Sequence, residues 1–197
     1  MLPALSDIAL DQLFHEARTH RWWQDRPIPE ETLRSIAELA KLGPTSANSS
    51  PGRFVFVVSR EAKERLKPHL DEGNVRQATS APATVIVAYD TEFYEKLSTL
   101  APNNPGARSW FAGKPDAIER TGFQGSCLQG AYLIMAARAL GLDCGPMGGF
   151  DRKGVDETFF PNGKLKSNFL INLGYGIPEK LHPRQPRLAL EEFCAIA

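Results

Sequence analysis

Arginines near both ends of this chain, and two loops almost free of apolar side chains, are the residues best suited to chemistry. Arg18, Arg21 and Arg26 stand close together with Trp22 and Trp23 between them, and Arg184 and Arg187 stand among the prolines of the closing segment. Guanidinium groups grip phosphate oxygens in pairs, so each cluster suits a phosphate clamp. Each also suits a solvated helix end or tail, where cations are favoured anyway. The first loop, Gly43-Pro44-Thr45-Ser46-Ala47-Asn48-Ser49-Ser50-Pro51-Gly52-Arg53, offers hydroxyls, amides and free backbone N–H groups. It reads as a ligand loop held between rigid elements, or as a plain polar turn. The second, Gly141 to Phe150, has four glycines in ten residues. Such a backbone can come close to a flat ligand and aim N–H groups at it, or can simply turn from helix to strand.

Other chemistries leave no mark. There is no GxGxxG after a strand, no Walker loop and no GxSxG elbow. His15, His20, His69 and His182 are scattered without ligand spacing, and Cys127, Cys144 and Cys194 form no CxxC, so no metal site is expected. Glu61/Glu64 and Glu191/Glu192 read as solvated faces. No side chain is nominated as catalytic. Polar and glycine-rich loops without a nucleophile or metal make most sense if a cofactor carries the reaction.

The elements that must position these residues alternate in type. Ser6-Asp7 caps a helix with Leu10, Leu13, Phe14 and Ala17 on one face, ending near Arg18-Thr19-His20-Arg21. Glu30 to Leu42 is a second amphipathic helix, with Leu33, Ile36, Ala37 and Ala40 inward, stopped by Gly43-Pro44. Phe54 to Ser59 is a strand and Glu61 to Leu70 a charged surface helix. Asp71-Glu72-Gly73-Asn74 reads as a turn. Ala83 to Tyr89 is an apolar strand buried on both faces. Phe93 to Leu97 is a short helix. Ser109-Trp110-Phe111 is a mobile cover or a packing anchor. Pro115 to about Leu140 is the longest helix, apolar nearly all round in its second half apart from Arg138, so a core helix, open to completion by a partner subunit. Asp151 to Phe160 is a short helix, and Asn168 to Gly174 a third strand. One α+β or α/β domain over residues 1–197 follows.

Composition agrees. The chain has 197 residues, 42% of them apolar, with 23 Lys plus Arg against 23 Asp plus Glu. Balanced charge gives no reason to expect a nucleic-acid partner. No apolar run of about 18 residues occurs and the N-terminus does not read as a signal peptide, so no membrane partner and a cytoplasmic location are expected.

Seven short motifs occur in an order that resembles the FMN-dependent nitroreductase family over nearly the whole chain: ARTH, GPTSANSSP, ARSWF, GPMGGFD, LKSN, LINLGYG and PRLALEE. More narrowly they look like its malonic semialdehyde reductase branch, associated with pyrimidine breakdown. The resemblance implies a central mixed sheet flanked by helices and an intertwined homodimer, with FMN at the subunit interface. It implies NADPH or NADH as hydride donor to flavin N5 and a small-molecule substrate taking the hydride in turn, either malonic semialdehyde or a nitro, quinone or enone compound. A flavin-binding protein without turnover is the remaining alternative. The family's RRSVR becomes Ala17-Arg18-Thr19-His20-Arg21, with alanine for the first arginine. Arg18, Thr19, His20 and Arg21 are implied to meet the phosphate and ribityl chain, and Arg184 with Arg187 to close the clamp. The family's PSxxNxQPW implies Pro44, Thr45, Ser46 and Asn48 at the flavin, while Ser50 and Gly52 replace its Gln and Trp. Asn74 is implied at the pyrimidine edge, Gln77 stands where lysine is frequent, and the loop Gly145, Pro146, Met147, Gly148 and Gly149 is implied at N5 and O4.

Overall fold

The computed structural model describes residues 3–197. Ala83–Asp90 is β2, the strand on which the fold is built. Its run ATVIVAYD is buried from Ala83 to Tyr89, as an apolar run without alternation requires when both faces are covered. Gly52–Val57 (β1) and Leu165–Gly174 (β4) flank it, and Asp143–Met147 (β3) pairs outside β4, giving the order β1-β2-β4-β3. All three pairings are antiparallel, with a register shift between Val87 and Ala88. The parallel component of this mixed sheet is one bridge, Thr19 to Cys144, beside the outer edge of β3.

Alternation along the strands sorts side chains into two cores. Val85, Val87, Ile171 and Leu173 meet Leu33, Ile36 and Ala40 of α2 (Glu30–Ala40) and Leu133, Ala136 and Ala137 of the long helix. Ile86, Ala88 and Leu170 meet Leu66, Val155 and Phe160 on the other face. Full burial of side chains such as Ile36, Leu133 or Leu170 stabilises the fold by roughly 1.5–3 kcal/mol each.

The remaining helices are α1 (Asp7–Leu10), α3 (Arg60–Leu66), α4 (Glu72–Ser80), α5 (Leu97–Leu100), α6 (Pro115–Ala139), α7 (Arg152–Phe159) and α8 (Leu190–Phe193). Pro115 and Asp116 start α6 as a first turn should. Gly141 ends it at φ 78°, and its N–H donates to the Arg138 carbonyl. Gly130 lets α6 lie against the Phe169 ring, where a Cβ would collide.

Three expectations are corrected and one open alternative is decided. The Gly145-Pro146-Met147 segment is strand, not loop. Glycine and proline hide an edge strand, yet Gly145 is needed there because the His20 carbonyl presses on it. Asp71 to Asn74 is no isolated turn but the start of α4. The first helix runs on from α1 as a π-helical stretch, Asp11–His15, and Phe14 is exposed rather than inward. Within Ser109-Trp110-Phe111, Phe111 is the anchor: it packs edge-on against Phe93 at 5.0 Å, while Trp110 is exposed.

No helix among the described residues is long and apolar enough to cross a membrane.

Candidate functional site

The arginines of the two chain ends meet. Arg18, Thr19, His20 and Arg21 line a cleft of about 380 Å³ together with Arg184, Arg187, Arg138 and Lys180. Among the described residues no Asp or Glu lines it. Among the described residues none of these cations is in an ion pair. Four of them are tied to backbone instead. Arg18 Nη2 donates to the His182 carbonyl at 2.5 Å, and Arg184 Nη2 donates to the carbonyls of His15 and Ala17. Arg187 donates to its own tail at Gln185 and Pro186. Arg138 Nη1 donates to the Leu13 carbonyl at 2.9 Å, and its Nε is buried with no partner.

His20 lines this cleft but is committed to the fold. It is 5% exposed. Its backbone N–H donates to the Cys144 carbonyl at 3.0 Å, and its ring fills the space a Cβ on Gly176 would take. Nε2 lies 3.4 Å from Asp143 Oδ1, while Asp143 Oδ2 accepts the Gly176 N–H at 2.8 Å. Burial pulls the His20 pKa below its ordinary value; Asp143 opposes this and Arg18 adds to it. A neutral imidazole therefore anchors the Arg18–Arg21 segment at neutral pH.

The same segment runs along the β3 edge to a second group. Trp23 Nε1 donates to the Gln77 carbonyl at 3.0 Å. Gln77 is buried, and its amide donates to Asn74 Oδ1. Asn74 Nδ2 donates to the Gly149 carbonyl at 2.7 Å. A Cβ on Gly149 would meet Asn74 Nδ2 and Asp71 Oδ2, each at 2.6 Å. Asn74 and Gly149 are thus brought together beside Met147 and Gly148, and Gln77 serves to hold Asn74.

Pro44, Thr45, Ser46 and Asn48 lie elsewhere. Gly52 pairs with Tyr89, at the opposite end of the sheet from Asp143, which pairs with Gly174. Thr45 and Pro51 approach Gly125 of α6, whereas the arginine cleft reaches Arg138 of that helix. Thirteen residues at 1.5 Å each separate the two by about 20 Å. The loop is strained and tightly held. Ala47, Asn48 and Ser50 have φ of 53°, 52° and 42°, a region costly for side chains with a Cβ. Ser50 is fixed at three atoms. Its N–H donates to Thr45 Oγ1 at 2.9 Å, its carbonyl accepts from Arg53, and its Oγ accepts from Gln129 Nε2 at 3.0 Å. Gln129 Oε1 also accepts the Gly52 N–H at 2.7 Å. Asn48 Nδ2 donates to the Leu100 carbonyl, tying the loop to the small core of Phe93, Leu97, Ala107 and Phe111.

The polar, strained loop at one end of the sheet and the cationic cleft at the other are carried by a chain whose residues 15–175 match the description Nitroreductase family. The chain belongs to that family. This nitroreductase is 55% identical over 195 residues to a Ralstonia nicotianae protein provisionally named NADH dehydrogenase/NAD(P)H nitroreductase, covering 99% of this chain and 100% of that protein. Its fold is similar to that of a provisionally described nitroreductase of Bacillus subtilis (TM-score 0.88, 20% identity, covering 98% and 100% of the two chains). It is also similar to one from Exiguobacterium sibiricum, crystallised in complex with FMN (TM-score 0.86, 20% identity, covering 100% of each chain).

Sequence reasoning passed over several residues that shape the cleft and the loop. Gln129, 2% exposed, carried a signal as an amide within a helix of the core. Arg138 was visible as the one cation of an apolar stretch. Lys180 carried none, since an exposed cation after β4 resembles any surface charge.

Proposed function

We propose that this nitroreductase binds FMN, takes hydride from NAD(P)H, and works as a homodimer in which each site is built from both chains. The carboxylate-free arginine cleft along the β3 edge carries this reading. FMN has a dianionic phosphate, a polyol and a flat ring, and the residues present fit all three. Arg18, Arg21, Arg184 and Arg187 hold the phosphate, and Arg138 adds an orphan donor to the cleft wall. Thr19 binds the ribityl chain, Asn74 the pyrimidine edge, and the backbone of Gly145 to Gly149 the ring. Bound FMN supplies hydride relay, which no side chain of this protein can perform.

The chain's own residues bind and orient. His20 holds the arginine segment at its distance from β3, and Gln77 holds Asn74. The loop of Pro44, Thr45, Ser46 and Asn48 lies about 20 Å from this cleft along α6, so it serves the partner's cleft, and the partner's loop serves this one. Phe123, Leu128 and Tyr132 of α6 and Leu188, Leu190 and Phe193 of the tail are exposed. That much uncovered apolar surface supports a second copy as its cover. The final proton comes from solvent.

The substrate proposed is malonic semialdehyde, reduced to 3-hydroxypropanoate, and the ordered motifs from ARTH to PRLALEE support it. A general nitro, quinone or enone reductase is the second reading, favoured by the name of the Ralstonia relative. Anaerobic titration of the purified holoprotein with NADPH and with NADH, followed by either substrate class, decides. Bleached flavin reoxidised by malonic semialdehyde supports the first reading. Reoxidation by nitroaromatics alone supports the second. A colourless protein that takes up no FMN removes both.

A further inference from the structure

The cleft and its rim carry two cations, Lys180 and Arg76, beyond the five arginines given to the flavin phosphate. Five arginines and Lys180 line it without a carboxylate, whereas two or three guanidinium groups satisfy a phosphate dianion. A further cation, Arg76, reaches the rim of this cleft from α4. The five arginines that line the cleft form an inner tier, of which Arg18, Arg138 and Arg184 are tied to carbonyls of the chain ends. The outer tier surrounds Trp22. The Arg76 guanidinium lies 3.4 Å from the indole ring centre and Lys180 Nζ lies 5.7 Å from it. Arg76 Nη1 donates to the Arg21 carbonyl at 3.1 Å, which joins α4 to the cleft rim. Trp22, Arg76 and Lys180 are all exposed. Glu72, four residues before Arg76, and Glu179, beside Lys180, make no ion pair with them.

Cation–aromatic packing orders these long side chains before any ligand arrives, which lowers the entropy lost on binding. An aromatic plate with two ordered, unpaired charges suits a flat base bearing a phosphate. We propose that Trp22, Arg76 and Lys180 form a second subsite, for the 2′-phosphoadenosine half of NADPH, and so make this enzyme prefer NADPH to NADH. This rests on the FMN reading of the inner tier. NADH carries a hydroxyl in place of the 2′-phosphate and leaves both charges without a counterion.

The test uses FMN-loaded protein with 2′,5′-ADP and 5′-AMP as probes, read by calorimetry, with flavin absorbance followed in the same samples. The expected result is 2′,5′-ADP binding about tenfold tighter than 5′-AMP, with the difference lost in Arg76→Ala and in Lys180→Ala. Equal affinities, or a preference unchanged in both variants, would overturn the proposal. So would displacement of FMN by 2′,5′-ADP, because the inner tier would then be its site. Yellow protein without a nucleotide preference overturns this subsite alone. Protein that takes up no FMN overturns the FMN reading and this proposal with it.

Discussion

Arg18 and Arg184 lace the two ends of the chain in opposite directions. Arg18 reaches from the N-terminal segment to the His182 carbonyl, and Arg184 returns from the tail to the carbonyls of His15 and Ala17. Each guanidinium thus keeps part of its fork for a ligand while the rest closes the cleft. Arg184→Ala should free the tail and weaken FMN binding about tenfold, with faster proteolytic clipping after residue 181. Because the two residues share one structure, Arg18→Ala with Arg184→Ala should cost less than the sum of the single variants. Flavin fluorescence titration of all four proteins checks this, and simple additivity would refute the lacing.

Gly52 and Gln129 form a dependent pair. A Cβ on residue 52 would stand 2.6 Å from Gln129 Oε1. Gly52→Ala should therefore destabilise the chain by about 1–3 kcal/mol through overpacking. Gln129→Ala should cost about 1–3 kcal/mol, because the Gly52 N–H loses its acceptor. Combined, the two should cost less than their sum, since the shortened side chain makes room for the new methyl. Urea denaturation of the three variants measures this.

Folding lowers the pKa of His20, so the unfolded chain takes up that proton more readily. Its contribution to stability is complete above the ordinary value of 6.5 and is lost as pH falls from there towards the lowered folded value. Asp143 and Arg18 are the charges acting on it. Melting temperature should decline as pH drops below about 6.5, and His20→Gln should flatten that decline. An identical pH profile in the variant would count against it.

The cysteines should differ in reactivity. Burial pushes the Cys144 thiol up to about 12, and the residue is 1% exposed. Cys194 is exposed. A thiol reagent should modify Cys194 in native protein and reach Cys144 only after denaturation, as peptide mass mapping would reveal.

Much of the scaffold is legible in the sequence because its periodicity is strong. Leu33, Ile36 and Ala40 repeat as a helix face must, and Ala83 to Tyr89 reads as a strand covered on both sides. β3 is not legible, since Gly145-Pro146 looks like a turn until the His20 carbonyl is known to press on it. α4 is hidden by Gly73, and only packing of Gln77 and Ala78 makes it a helix. At the site, residue type gives the arginines and the strained loop. It cannot give their separation, because chain order says nothing about which end of a sheet a residue occupies. Nor does it show the His20 ring packed against Asp143 and Gly176.

The separation of the Thr45 loop from the Arg18 cleft has a genetic consequence. If each site draws one half from each chain, a chain defective in the cleft and a chain defective in the loop are both inactive alone. Coexpressed, they pair at random. In the mixed dimer both lesions fall in one site, and the other site is wholly wild-type. About a quarter of all sites should then recover, so two inactive alleles would complement each other in one cell.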